Sequence, residues 1–162
     1  MVLMPNGPFL NDLTTKKELL LKTFLTDERF VQLVTNQTDV TLPAKDLRYK
    51  QVFPYGWIGD TVSIAKTFVC FDVDVPQIKT IAVKDCYLYI WIFAHKDLMP
   101  TKDGVRVDLL ASRIDWLLNG STEYGFGRLK LESCLRINPN EDYYGRVLKY
   151  YVQDWNRFGE KL

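Results

Sequence analysis

Residues 86–94 form a run that is apolar on both faces of an extended chain. Strand side chains alternate, so Cys86, Leu88, Ile90 and Ile92 share one side and Tyr87, Tyr89, Trp91 and Phe93 the other. A strand apolar on both sides belongs in the middle of a sheet, with cover above and below. One cover could be a helix. The other could be a neighbouring subunit.

The remaining elements follow from periodicity. Asp12, Thr14 or Thr15 can open a first helix, and Glu18, three residues after Thr15, would complete a capping box. Leu19, Leu20, Leu21, Phe24 and Leu25 supply its apolar face. Asp27-Glu28-Arg29 interrupts it, and Phe30, Leu33 and Val34 resume at helical spacing. Thr67 to Val75 reads as a strand that Pro76 ends. Val105 to Leu118 reads as a helix, with Leu109, Leu110, Ile114, Leu117 and Leu118 as its stripe, Arg106, Ser112, Arg113 and Asp115 outside it, and Asn119-Gly120 as its stop. Arg128 to Ile137 alternates, which places Leu129, Leu131, Ser133, Leu135 and Ile137 inward. Gly145 to Trp155 is its expected hairpin partner across the turn at Pro139 to Asp142. The order gives an α+β fold, a single mostly antiparallel sheet with helices packed on one face.

At 162 residues the chain fits one domain, 1–162, with 1–11 as a flexible N-terminal arm because Pro5, Gly7 and Pro8 discourage regular structure. Residues 35–62 form a long irregular stretch punctuated by Pro43, Pro54 and Gly56. It carries Phe53, Tyr55, Trp57 and Ile58. Such a stretch either lies flat over the core or serves as a docking loop. With 21 basic and 20 acidic residues, the charge balance argues against a dedicated nucleic-acid binder. Three cysteines without a C-x-x-C spacing suggest buried free thiols in a reducing compartment. No apolar run reaches 18 residues, so no transmembrane helix and no membrane partner is expected.

Little in the chain resembles reaction chemistry. His95 is the sole histidine, which excludes a histidine pair for zinc and makes a Cys/His metal site improbable. Cys86 lies nine residues from His95 along one strand, roughly 30 Å away. A Cys-His nucleophile pair would therefore need Cys70 or Cys134. Asp72 and Asp74 share a strand face and could hold Mg²⁺ in a small nuclease, with Glu132 and Lys130 on another strand completing the catalytic set. Gly125-Phe-Gly127 leads into a strand rather than a helix, so a phosphate-cradling helix start is missing. No serine sits in a nucleophile elbow. The expectation is no enzyme, no cofactor and no catalytic or metal-binding residue. Phe53, Tyr55, Trp57, Ile58 and Trp155 are expected to be interface residues, since aromatic side chains anchor protein contacts.

Four segments carry a family resemblance over roughly residues 50–156. They are Phe53-Pro-Tyr-Gly-Trp-Ile58, Arg106-Val-Asp-Leu-Leu-Ala-Ser-Arg-Ile-Asp-Trp-Leu-Leu118, Gly125-Phe-Gly-Arg-Leu-Lys-Leu131 and Tyr144-Gly-Arg-Val-Leu-Lys-Tyr-Tyr-Val-Gln-Asp-Trp-Asn156. Together with the element order they resemble the tail terminator and tail-completion (head-tail joining) proteins of long-tailed bacteriophages. The resemblance implies a structural virion protein assembled in the host cytoplasm. It implies a homo-oligomer, a hexameric ring in the neck that caps the tail tube and joins it to a head-closure or connector protein. DNA would pass through that ring without specific binding. A different head-closure, tail or baseplate component is the alternative within the same class.

Overall fold

The computed structural model describes residue 10, residues 12–56 and residues 65–155. The expected arm lies outside these residues except for Leu10, as do Trp57, Ile58 and the segment after Trp155. Helices α1 (Leu13–Thr26) and α2 (Glu28–Thr35) come first. Strand β1 (Val52–Phe53) precedes two long strands, β2 (Thr67–Ile78) and β3 (Val83–His95). A small hairpin, β4 (Pro100–Thr101) and β5 (Gly104–Val105), leads into α3 (Arg106–Leu118). The chain closes with β6 (Lys130–Asn140) and β7 (Tyr143–Trp155). The main sheet has the order β1-β2-β3-β7-β6 and is antiparallel except for the β1–β2 pair. It is the expected α+β arrangement, and β3 is its middle strand.

The three helices cover one face. Cys86, Leu88, Ile90, Ile92 and Ala94 of β3 point into this layer and are fully buried. Leu20, Leu21 and Phe24 of α1, Phe30 of α2, and Leu110, Ile114 and Leu118 of α3 meet them in one core. Asp27, read from sequence as an interruption, is the N-cap of α2 and accepts from the Phe30 amide at 2.8 Å. Its carboxylate also takes both arms of the Arg113 guanidinium, at 2.9 and 2.6 Å. One aspartate thus starts α2 and ties it to α3. Arg106, expected outside the α3 stripe, is instead buried. It donates to the Leu33 carbonyl near the end of α2, to the Leu98 carbonyl and to Asn36 Oδ1. The orphan carbonyls of a helix C-terminus favour such a cation.

No capping box forms at α1. Glu18 bonds Arg48 instead, and Asp12 stands at the N-cap without a side-chain cap bond. The Asp12 carboxylate turns into a buried charge cluster. It takes Lys16 at 2.7 Å and Lys84 at 2.9 Å, and Lys16 also bonds Asp154. Two lysines and two aspartates balance, and they pin the first turn of α1 to β3 and β7. Burial pushes the Asp12 carboxyl up, but the two ammonium groups outweigh it and hold it below the ordinary carboxylate range.

Three further expectations change. Strand β2 does not end at Pro76; it continues to Ile78 through a bulge between Asp74 and Gln77. Past Cys70 it has no outer neighbour among the described residues, so the missing proline N–H breaks no ladder there. The 35–62 stretch is not structureless. Gln51 accepts from the Val69 amide, β1 adds to the sheet, and Leu47 and Val52 enter the core. The inward set of β6 is split. Leu131 pairs with Tyr150, yet Ser133 pairs with Lys149, so the register shifts by one residue between them. A one-residue slip reverses every later side chain. Leu129 is buried, while Leu135 is 60% exposed on the opposite face.

Two outcomes follow. Leu129→Ala should cost about 2–5 kcal/mol, whereas Leu135→Ala should stay within about 0.5 kcal/mol in urea melts of the free chain. Asp12→Asn should destabilise the chain at neutral pH. Because the folded Asp12 titrates below its unfolded value of about 3.9, its contribution is present above that pH and is lost below it. The gap between wild type and Asp12→Asn should therefore close on acidification, as followed by circular dichroism.

Candidate interaction face

The second face of β3 carries Tyr87, Tyr89, Trp91 and Phe93, and no helix among the described residues packs on it. The strand register lays residues in rows across the sheet. Phe68, Phe93, Gly145 and Ile137 form one row. Cys70, Trp91, Val147 and Leu135 form the next. Asp72, Tyr89, Lys149 and Ser133 follow, and then Asp74, Tyr87, Tyr151 and Lys130.

The two ends of this face differ. At the first row a small second core forms from Phe53, Phe68, Cys70, Phe93 and Tyr143, with Trp91 and Ile137 packed against it. Phe68 and Phe93 stack at 5.4 Å, and Phe93 meets Tyr143 edge-on at 6.0 Å. Gly145 is required here, because a Cβ would run into the Ile92 carbonyl and the Phe93 backbone. Phe53 is thus buried and supports the face. Tyr55 is 42% exposed; it lies at 5.7 Å from Phe53 and 6.3 Å from Tyr49. Gly56 lies beside the Trp91 ring.

At the other end the rings are half-buried. Tyr89 and Trp91 stack at 5.8 Å, and Tyr87 meets Tyr151 at 5.3 Å. Lys149 sits 4.2 Å from the Tyr87 centroid and reaches Glu132 at 3.6 Å. Tyr151 donates to Asp85 at 2.9 Å, and Lys79 pairs with the same carboxylate at 3.1 Å. Trp155 is 68% exposed at the far tip of β7, paired with Val83. Of the interface residues read from sequence, Tyr55 and Trp155 are exposed and Phe53 is not; Trp57 and Ile58 lie outside the described residues. Sequence reasoning missed Tyr87, Tyr89, Trp91, Tyr151 and Lys149 as candidate contacts. The signal was present in the two-sided apolar run of β3.

The reactive alternatives are not brought together. Asp72 bonds Lys17 at 2.6 Å, and Glu132 stands three strands away on β6. His95 accepts from the Asp97 amide through Nδ1 and meets Tyr143 edge-on. Cys70 pairs with Trp91, four residues or roughly 13 Å along β3 from His95. Cys134 pairs with Leu148 and thereby lies level with Ile90, about 16 Å along the strand from His95. Burial in the helix-side core pushes the Cys86 thiol up to about 11. Among the described residues no group of three or more His, Cys, Asp or Glu side chains is placed to hold a metal ion. No helix of the described residues is long and apolar enough to cross a membrane.

The geometry defines an α+β protein whose sheet is clad in helices on one side and presents aromatic rings on the other. The chain belongs to the YomW family, whose model matches residues 16–152. That name is the name of a phage-derived, SPbeta-like prophage protein, which suggests a phage origin. No curated protein matches the chain.

The division of the face is testable by mutation. Phe93→Ala removes a buried ring and should cost about 3–5 kcal/mol. Tyr89→Ala should cost markedly less, about 1 kcal/mol, in the same denaturant melts. Equal losses would mean that the exposed end is as tightly covered as the other.

Proposed function

We propose that this chain is a structural protein of the phage virion and not an enzyme. In this reading it forms a ring in the neck, most simply a hexamer, that terminates the tail tube and joins it to the head connector. The observation that carries the proposal is the aromatic, half-exposed face of the sheet. Tyr87, Tyr89 and Trp91 are only half-buried, and contiguous aromatic surface of this kind usually marks a contact site. The phage origin suggested by the family and the resemblance of residues 50–156 to tail terminators point to the same class of role.

A ring closes through head-to-tail contacts, so each subunit needs two unlike sticky surfaces. Exposed Trp116 on α3, stacked under Arg113 at 4.3 Å, and exposed Trp155 at the tip of β7 supply candidates away from the half-buried rings. The near-neutral net charge of +1 suits a channel that DNA crosses without lasting contact. Tail tube and head-closure proteins would meet the two ends of the ring.

The test is a phage carrying a nonsense allele of this gene. Lysates should contain filled heads and separate tails by negative stain, and adding the purified chain should restore joined, infectious particles. Joined and infectious particles made without the chain would overturn the proposal. Purified protein should not cleave DNA with Mg²⁺. Cleavage that disappears in an Asp72→Asn, Asp74→Asn double variant would replace the structural role with an enzymatic one.

A further inference from the structure

The half-exposed end of the open face is self-complementary in charge and in size. The row Asp74, Tyr87, Tyr151, Lys130 runs from an acidic residue on β2 to a basic one on β6. Both end residues are exposed, and neither has an ion-pair partner among the described residues. They stand three strand spacings apart, roughly 14 Å, so they do not pair within the chain. In the next two rows the bulky rings, Tyr89 and Trp91, lie on β3, and Lys149 and Val147 face upward beside them on β7. In the Trp91 row the β3 side is raised and the Val147 side is low.

We propose that this face docks against the same face of a second copy, about a two-fold axis that runs parallel to the strands. Such an axis reverses every row. Asp74 of one copy then lies over Lys130 of the other, twice per pair, and Tyr87 lies over Tyr151. Trp91 of one copy fills the low ground above Val147 of the other, and Tyr89 meets Lys149, which places a cation on another ring face. Sheets packed face to face stand about 10 Å apart, a gap that an aspartate and a lysine reaching from opposite sides can span. A two-fold axis across the strands would instead set β2, with Asp72 and Asp74, over its own copy and β6, with Lys130, over its own copy, so that Asp74 and Lys130 never meet. The charges therefore select the first arrangement. The pairing uses one patch twice, as an isologous contact does. It leaves Trp116 and the tips free, and it stands whether or not the copies go on to form a ring.

Charge exchange tests this directly. Wild-type chain should run as a dimer by size exclusion with light scattering at tens of micromolar. Asp74→Lys alone and Lys130→Asp alone should each keep the folded circular-dichroism spectrum and weaken the dimer about tenfold, since two exposed pairs become repulsive. An equimolar mixture of the two variants should recover wild-type association, because every lysine at one contact then meets an aspartate. The Asp74→Lys, Lys130→Asp double variant should recover it as well. A wild-type chain that stays monomeric at these concentrations would overturn the proposal. So would single variants that associate like wild type, including variants that form rings unhindered. Single variants that weaken association without rescue in the mixture would also overturn it, because 74 and 130 would then not be in contact.

Discussion

Everything in this molecule hangs on β3. It is hydrogen-bonded on both edges, to β2 and to β7, and its register with β7 runs unbroken from Val83 to His95. A central strand has no edge to spare, so its side chains decide what lies above and below it. The aliphatic side, with Cys86, Leu88, Ile90 and Ile92, takes the helices. The aromatic side holds Phe93, which is buried in the second core, and Tyr87, Tyr89 and Trp91, which are half-buried; tyrosine can leave its hydroxyl in water. The division of the protein into a helix-covered face and an aromatic, half-exposed face follows from this alternation.

The helix layer is fastened by charges more than by caps. Asp27 serves α2 and Arg113 together, Arg106 holds the end of α2 against the chain entering α3, and the Asp12–Lys16–Lys84–Asp154 cluster fixes α1 to the sheet. Buried ion pairs of this kind add little net stability over apolar replacements, but removing one partner leaves a costly unpaired charge. Their effect is to set the angle and register of each helix.

Much of this was legible in the sequence. The two-sided run at 86–94 located the central strand, and the helical stripe at 105–118 located α3 to within one residue. The stretch at 67–75 located most of β2. What was not legible depended on contacts between distant residues. Asp12 and Glu18 looked like a helix start, but Lys84 and Arg48 claim them. Arg106 looked like a solvated residue because nothing local announces the open carbonyl of Leu33. The alternation of β6 looked continuous because a bulge leaves no mark in a pattern of leucines and polar residues; it appears only once Lys149 and Tyr150 are in place as partners. The candidate face was half legible. Its aromatic content was plain in the two-sided run at 86–94, but the Phe53 segment carried the same aromatic signal, and its phenylalanine is buried.

The half-exposed end of the sheet is proposed as a contact surface. Hydroxyl-radical footprinting of the purified chain across a concentration series tests it most directly. Tyr87, Tyr89 and Trp91 should label readily in dilute solution and become protected as association proceeds, while Trp116 on α3 keeps its reactivity. Labelling of the three rings that does not change while the chain associates would place the contacts elsewhere and contradict the account.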